Sequence, residues 1–317
     1  MKHILNHIAS HTSVYVIGAA VVAMFFPQLF SWVSGFTQTF ILGVIMLTMG
    51  LTLSADDFKI LVSRPLDIFI GTCAQFSIMP FVAYFISMIF GLDKSVMLGL
   101  VLVGCCPGGV SSNIMSFLCK GDVAFSVGMT TCSTLLAPIV TPFLVLIIAG
   151  QTVEVDAVGM FVNILIVTIL PVAIGFLVNH IYGKKQSFIE VRQLMPGVSV
   201  SCLACIVGGV VYSVHDLLLS NGLLLFLLTF SVVFTHNAIG YMLGYLVGVI
   251  CKFNVAKRRT VSIEIGMQNA GLATNLASNF FLATNPIALV PCAISCVWHS
   301  ISGTLLATWF AKRDNKK

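Results

Sequence analysis

The chain has 317 residues, of which 58% are hydrophobic and only 9% are charged, and its mean hydropathy is +1.04. A soluble domain carries about 25% charged residues, so this composition excludes a soluble globular protein and indicates a polytopic membrane protein. The formal net charge of +5 is explained below by membrane topology, and no nucleic-acid partner is expected.

The first dozen residues form a predicted amphipathic helix that carries His3, His7 and His11 at spacings of four. Three histidines on one face are compatible with a metal site. No carboxylate or cysteine accompanies them, however, so a helix lying at the membrane interface is favoured. The hydrophobic segment that follows lacks a small-residue cleavage site and is too long for a signal peptide, so we expect it to remain as a membrane helix.

Ten apolar segments are each long enough to cross about 30 Å of hydrocarbon as a helix. They are residues 12–33, 36–54, 66–90, 95–118, 123–149, 157–181, 195–214, 221–250, 260–283 and 285–310. The eighth is long enough to suggest two spans, but its middle has no charge and no proline, so one tilted helix is predicted. Between the second and third spans, Ser54 is predicted to cap a short surface helix with Asp56 and Asp57 in its first turn.

Lysine and arginine near the ends of spans collect on the cytoplasmic side of a membrane. If the N-terminus is inside and ten spans follow, fifteen of the 16 basic residues fall on that side and only Lys94 falls on the other. Both termini are therefore predicted to be cytoplasmic, in a multi-pass protein of the cell inner membrane.

The ten cysteines lie within or at the ends of apolar spans, where cysteine behaves as a small hydrophobic residue. The C-x-x-C pair of Cys202 and Cys205 has no second pair and no neighbouring histidine, which disfavours zinc binding and thiol redox chemistry. No nucleophile-elbow motif is present. We therefore expect that the protein is not an enzyme.

The fourth span is interrupted at its centre. Pro107 removes a backbone donor and clashes with the preceding turn, and Gly108 and Gly109 follow at once, so a regular helix cannot run through this point. A second half-helix is expected to begin just beyond, and its N-capping oxygens are predicted to come from Ser111, Ser112 and Asn113.

The ninth span has a corresponding weak point at Gly266, Asn269 and Gly271. These two spans are the fourth of the first five and the fourth of the second five. Because five is odd, the two halves must be inverted repeats. Paired broken helices at equivalent places are typical of secondary transporters, whose sites lie near the membrane midplane; the alternative for either break alone is a kink that only helps packing.

Glu264 is the only acidic residue deep inside an apolar segment, where a lone carboxylate costs about 2.5 kcal/mol or more. One charge with neutral oxygens around it favours a monovalent hard cation, sodium, over calcium. Ser126 and Thr130 lie one helical turn apart and share a face, although back-bonding to the preceding turn is the alternative for both. The neutral oxygens near the two breaks come from Gln75, Ser112, Asn113, Ser126, Thr130 and Gln268.

Three motifs resemble the bile acid:sodium symporter family, specifically its bacterial members. They are PGGVSSN at 107–113, KGDVAFSV at 120–127 and EIGMQNAGLA at 264–273, and the similarity extends to MGLTL at 49–53 and VWH at 297–299. The resemblance covers essentially the whole chain. It implies an all-α protein of ten transmembrane helices in two inverted five-helix repeats, with broken helices 4 and 9 crossing in a core domain beside a panel domain. The panel would be about residues 12–54 and 157–214, and the core about 65–149 and 221–311.

The resemblance also implies two sodium ions that share Glu264. One site would use the side chains of Ser112, Asn113, Ser126, Thr130 and Glu264. The other would use Gln75, Glu264 and Gln268 with the carbonyl groups of Ile265 and Met267.

An organic anion, either a bile acid or a small carboxylate such as pantoate, would bind in the cleft between panel and core. Its expected contacts are Asn269, His299 and the backbone at Val110 and Ser111. Related proteins often have threonine where this chain has Val110, so a hydroxyl group is missing there.

The predicted function is sodium-coupled symport of organic anions by alternating access, carried out by a monomer in the lipid bilayer. Two other functions stay open. A proton-coupled carrier or cation/proton antiporter would use Glu264 as a titrating group and would work without sodium, and a non-transporting membrane sensor would show no uptake at all.

Overall fold

The computed structural model describes residues 2–54, 57, 59 and 63–314, and every regular element within these residues is a helix. We number the α-helices of the described residues in chain order. They are α1 (Lys2–Ser10), α2 (Thr12–Phe25), α3 (Gly35–Thr52), α4 (Pro65–Ile89), α5 (Lys94–Cys105), α6 (Ser112–Leu118), α7 (Val123–Ala149), α8 (Ala157–Ile164), α9 (Leu170–Tyr182), α10 (Gln186–Arg192), α11 (Met195–Ile250), α12 (Val255–Gly266), α13 (Ala270–Leu276) and α14 (Leu289–Asp314).

Seven helical segments of the described chain are long and apolar enough to cross a membrane. They are Gly35–Thr52, Pro65–Ile89, Val123–Ala149, Ala157–Tyr182, Gln186–Leu217, Gly222–Ile250 and Pro286–Arg313. An eighth is added if α1 and α2, whose axes differ by 87°, count as one span. The protein is therefore a multi-pass membrane protein. The ten-span inverted repeat remains a prediction, because its fourth and ninth members consist of short half-helices.

The ends of three predicted spans can be compared with the helices. α2 ends at Phe25, well before residue 33, because the chain enters a 3₁₀ turn at Pro27–Phe30. Gly222 breaks α11 with φ 74° and ψ −177°, and Gly222–Ile250 then runs as one helix, which confirms the single eighth span. The ninth span was predicted to start at residue 260, but α12 starts at Val255 because the Asn254 side chain caps it.

Two smaller predictions concern the membrane surface. α1 is steeply bent from α2, as expected for an interfacial helix, and the rings of His7 and His11 stack 4.3 Å apart. The backbone nitrogen and hydroxyl of Ser54 both donate to Asp57 Oδ2 at 2.7 Å, which is a capping arrangement. Ala55, Asp56 and Phe58 of the same predicted turn lie outside the described residues. All ten cysteines are free thiols.

Small residues allow several helices to pack with their backbones in contact, as is usual in membrane proteins. A methyl group on Gly50 of α3 would lie 2.9 Å from Val172 Cα of α9, and one on Gly104 of α5 would lie 2.7 Å from the Met79 carbonyl of α4. These close approaches hold α3 against α9 on one side of the protein and α5 against α4 on the other. The division into panel and core domains stays a prediction.

The two interrupted spans meet at their breaks. Helix α5 stops at Cys105 and α6 starts at Ser112, while α12 stops at Gly266 and α13 starts at Ala270. Gly109 N donates to Met267 O at 2.9 Å, and Asn269 N donates to Pro107 O at 2.8 Å, so that the two extended segments pair antiparallel. The two breaks therefore lie side by side and bond to each other, and we call this place the crossing, after the arrangement that the resemblance implies.

Candidate functional site

The Glu264 carboxylate is fully buried beside this crossing and faces three hydroxyl groups. Ser112 Oγ of α6 lies 2.6 Å from Glu264 Oε1, and Thr130 Oγ1 of α7 lies 2.8 Å from Oε2. Ser126 of α7 also donates to Oε1. Because Ser126 and Thr130 turn toward the carboxylate, back-bonding within their own helix does not describe them.

The hydroxyl groups of Ser112, Ser126 and Thr130 have fewer protons than they have oxygen neighbours within hydrogen-bond distance. A hydroxyl group has one proton to donate, yet each of the three hydroxyls lies within hydrogen-bond distance of two acceptors. In addition to the carboxylate, Ser112 reaches Gly109 O at 2.7 Å, and Ser126 and Thr130 reach Asn113 Oδ1 at 2.8 Å and 3.5 Å. With Glu264 ionised and Asn113 Oδ1 facing the hydroxyls, the three hydroxyl protons fill only three of these six oxygen–oxygen contacts. Such a proton-poor set of hard oxygens suits a cation.

The predicted capping of α6 is wrong. Ser111 occupies the N-cap position, and its side chain makes no capping hydrogen bond. The oxygens of Ser112 and Asn113 are instead taken up by the cluster around Glu264. The hydrogen bond from the Ser112 hydroxyl to the buried carboxylate, and the one from Ser126 to Asn113 Oδ1, outweigh the local capping preference of Ser112 and Asn113.

The second predicted ion set is gathered on the other side of the crossing. Gln75 Nε2 donates to Gln268 Oε1 at 3.3 Å, and Gln268 Nε2 donates to Ile265 O at 2.7 Å. Met267 O accepts from Gly109 N. Gln75 Oε1 is buried and has no hydrogen-bond partner among the described residues. These groups are adjacent, and Ile265 O, which accepts one hydrogen bond from Gln268 Nε2, keeps a second lone pair for an ion.

Gly108 leaves open space between Glu264 and Gln75. A methyl group at this position would lie 3.0 Å from Glu264 Oε2 and 3.6 Å from Gln75 Nε2. Any residue larger than glycine would thus intrude between the two predicted ion sites.

Two residues that the sequence did not single out satisfy the backbone at the breaks. Thr141 Oγ1 donates to Cys105 O, the last carbonyl of α5, at 2.8 Å, and Asn237 Nδ2 donates to Gly266 O at 2.7 Å. Unsatisfied carbonyl groups at membrane depth are costly, so interrupted helices need such donors from neighbouring helices. Neither residue belongs to a local motif, and only its position next to a break reveals its role.

A cleft of about 300 Å³ lies between α2, α3 and the start of α11 on one side and the crossing and α14 on the other. The side chains of Leu42, Ile45, Met46 and Met49 give it an apolar wall. The four predicted substrate contacts all line it: Val110, Ser111, Asn269 and His299.

Backbone donors are present in this cleft. Among the described residues, the N–H groups of Val110 and Ser111 donate no hydrogen bond. Asn269 faces the cleft, and its Oδ1 also caps α13 by accepting from Leu272 N at 3.0 Å. His299 Nδ1 lies 3.3 Å from Gln268 O, and its Nε2 is buried without a described partner.

The cleft and the oxygen cluster share residues. Asn113 lines the cleft and contacts Ser126 and Thr130, while Gln268 lines the cleft and contacts Gln75. A ligand in the cleft and an ion beside Glu264 would therefore act on the same two side chains.

Comparison of the sequence with known proteins gives matches over most of the chain. A family model described as "Sodium Bile acid symporter family" matches residues 39–221. An uncharacterized sodium-dependent transporter, YocS, of Bacillus subtilis (strain 168) is 43% identical over 314 residues, covering 99% of this chain and 95% of the relative. A probable chloroplastic sodium/metabolite cotransporter, BASS1, of Oryza sativa subsp. japonica is 39% identical over 305 residues, covering 96% of this chain and 73% of the relative. Its counterpart in Arabidopsis thaliana is 39% identical over 281 residues, covering 89% and 68%.

Proposed function

The chain belongs to the sodium bile acid symporter family, and we propose that it carries an organic anion together with sodium by alternating access. The family and its relatives make it a sodium-coupled symporter and not an enzyme. The proposal adds the sites, the kind of substrate and the mechanism.

The observation that carries the proposal is the proton-poor oxygen cluster around Glu264. Sodium is a transported substrate here, and its natural position is among the oxygens of Ser112, Asn113, Ser126, Thr130 and Glu264. The three hydroxyls would turn their protons away from the carboxylate and offer lone pairs to the ion. A second ion beside Gln75 and Gln268, using the Ile265 and Met267 carbonyls, would share Glu264, so that one carboxylate serves two cations.

The substrate we propose is a carboxylate of small to moderate size. Ligand pockets run from about 300 to 1,000 Å³, so a cleft of about 300 Å³ lies at the lower end of this range. A small carboxylate fits this volume, and a bile acid requires a wider cleft. The N–H groups of Val110 and Ser111 would receive the carboxylate, and the apolar wall from α3 would contact the carbon skeleton.

Coupling follows from the shared residues. An ion beside Glu264 fixes Asn113 and Gln268, and both then present a defined surface to the cleft. A ligand shifts a conformational equilibrium only through its different affinity for the two states. Sodium and the anion would favour the same arrangement because they order the same two side chains.

The cleft extends toward one end of the helices, where Thr12, Asp57 and Met195 line it. Toward the opposite end, Asn275 Nδ2 of α13 donates to Thr39 Oγ1 of α3 at 2.8 Å and joins the two sides. Because basic loops favour the cytoplasmic side, we propose that the cleft mouth faces the cytoplasm, that this arrangement is inward-facing and that both termini are cytoplasmic. We propose that the protein works in this way as a monomer in the inner membrane.

Uptake into proteoliposomes tests the function. Labelled small carboxylates and bile acids are offered under an inward sodium gradient, an equal potassium gradient, or a proton gradient in sodium-free buffer. Uptake of a carboxylate with sodium alone supports the proposal. Uptake that persists without sodium and follows the proton gradient indicates the proton-coupled alternative, and no uptake of any anion, together with no stabilisation by sodium, contradicts the proposal.

Thr39→Val tests alternating access, because it removes the hydroxyl that accepts from Asn275 Nδ2 at 2.8 Å, and more weakly from Asn279 Nδ2 at 3.4 Å, at the outer end. A neutral hydrogen bond contributes about 1 kcal/mol, so the outward-facing state should gain up to about fivefold in population. The external sodium concentration for half-maximal uptake should fall accordingly. Thr37→Val, which removes a hydroxyl two positions away on the same helix, is the control. Equal sodium dependence in both variants would exclude this contact as the outer closure.

A further inference from the structure

A second cavity, of about 460 Å³, lies at the ends of three helices. It is bounded by Lys120 just beyond α6, by the first turn of α12 and by the last turns of α14, with Tyr245 of α11 at its side. Among the residues that the structure describes, the charged side chains that line it are all basic, namely Lys120, Arg259 and Arg313. None of these residues has a part in sodium or substrate binding as proposed above.

The basic groups are held in place by the protein. Arg259 is only 5% exposed, its Nη1 donates to Cys119 O at 2.9 Å, and its guanidinium lies 5.7 Å from the ring centre of Phe310. The guanidinium of Arg313 lies 4.8 Å from the ring centre of Trp309. Arginine groups positioned in this way are suited to phosphate, which they bind through paired hydrogen bonds.

The start of α12 adds to the positive potential. Val255 and Ala256, which line the cavity, are the first two residues of this 12-residue helix. The N–H groups of a first helical turn have no partner within the helix and carry the positive end of its dipole. Three basic side chains and a helix N-terminus therefore converge on one cavity.

The surface next to the cavity is apolar and exposed, which indicates that a phosphate bound there would belong to a membrane lipid. Ile250 and Val255 on one side, and Leu305 and Trp309 on the other, are large hydrophobic residues with at least half of their surface exposed. These residues face lipid if the protein spans the membrane as described. The cavity then lies at the level of the lipid headgroups, on the side where lysine and arginine collect.

We propose that this cavity binds the phosphate headgroup of an anionic membrane phospholipid. Basic pockets between transmembrane helices on the cytoplasmic side are suited to such headgroups. A bound headgroup would join the end of α6, the start of α12 and the end of α14. Because α6 and α12 carry Ser112 and Glu264, the lipid would stabilise both half-helices that hold the ion donors.

Thermal unfolding and native mass spectrometry of the detergent-purified protein test this assignment. Phosphatidylglycerol, phosphatidylcholine, glycerol phosphate and inorganic phosphate are titrated separately. Phosphatidylglycerol is expected to stabilise the protein and remain bound, with a smaller effect of phosphatidylcholine. Equal effects of the two lipids would overturn the assignment, and so would stabilisation by inorganic phosphate that matches the lipid, since the site would then hold a soluble anion.

The variants Lys120→Gln and Arg313→Gln test the location of the site. Each should weaken phosphatidylglycerol binding about fivefold, which corresponds to about 1 kcal/mol for one basic residue near anionic lipid. Lys312→Gln, at an exposed position outside the cavity, is the matched control. Arg259 is left unchanged because its hydrogen bond to Cys119 supports the fold. Unchanged lipid affinity in both variants, or an equal loss in the control, would overturn the proposal.

Discussion

Replacing Glu264 with glutamine is expected to abolish sodium dependence and to leave a folded protein. The change keeps the side-chain volume and one oxygen, but it removes the charge that faces Ser112, Ser126 and Thr130. Two unit charges about 4 Å apart attract each other by about 4 kcal/mol at an effective dielectric constant of about 20. This loss corresponds to about a thousandfold weaker sodium binding. Sodium stimulation should therefore disappear from the usable concentration range.

Glu264→Gln should lower sodium affinity, but it should not lower the stability of the protein in sodium-free buffer. The wild-type protein in potassium buffer keeps a carboxylate buried without a cation, and the desolvation penalty of such a charge is several kcal/mol. The three hydroxyl donors offset part of this penalty, and glutamine removes the charge altogether. Glu264→Gln should thus unfold in potassium at the same temperature as the wild type or higher.

The assay compares unfolding temperatures and uptake in matched sodium and potassium buffers. Sodium should raise the unfolding temperature of the wild type, because it binds the folded state, and should leave that of Glu264→Gln unchanged. Glu154→Gln makes the same chemical change at an exposed position and should behave as the wild type. An equal sodium-induced shift in Glu264→Gln and the wild type would refute the role given to this carboxylate.

Two further substitutions follow from the crossing. Gly108→Ala places a methyl group 3.0 Å from Glu264 Oε2 and should lower sodium affinity in uptake assays. Gly18→Ala, whose methyl group meets nothing within 4 Å, is the control and should have no effect. Wild-type sodium affinity in Gly108→Ala would contradict the positions of the two ion sites. Thr141→Val removes the donor to the last carbonyl of α5 and should destabilise the protein by about 1–3 kcal/mol in thermal unfolding. Thr308→Val is the control, because it removes an exposed hydroxyl that bonds only within its own helix. Equal stability of the two variants would show that the break at Cys105 does not need the Thr141 hydroxyl.

Several features could be predicted from sequence because they depend on local chemistry. Pro107 and the two glycines after it favour an interruption of the helix, and Gly266 and Gly271 weaken a helix through the flexibility of glycine. In the structure, the side chains of Ser112, Ser126 and Thr130, which the resemblance implies as ion donors, lie against Glu264. Their role as sodium ligands is still a prediction.

Other features could not be predicted correctly, because contacts between residues far apart in the chain compete with local preferences. Local preference assigned the oxygens of Ser112 and Asn113 to a helix cap, whereas Ser112 Oγ donates to Glu264, 152 positions away, and Asn113 Oδ1 accepts from Ser126 Oγ. The start of α12 was placed too late because Lys257 to Arg259 lower the hydropathy, although Asn254 sets the helix start. Thr141 and Asn237 carry no pattern that reveals their roles.

The sequence by itself determined that this is a membrane protein, that two of its spans are broken and that one carboxylate lies deep among them. Each of these properties is read from neighbours along the chain. Only the tertiary structure decided that the breaks pair with each other, that three hydroxyls share too few protons around Glu264, and that a cleft touches this cluster through Asn113 and Gln268. It also brought Lys120, Arg259 and Arg313 to one cavity. Hydropathy and helix breaking are local, whereas these contacts exist only because packed helices bring together residues that lie far apart in the chain.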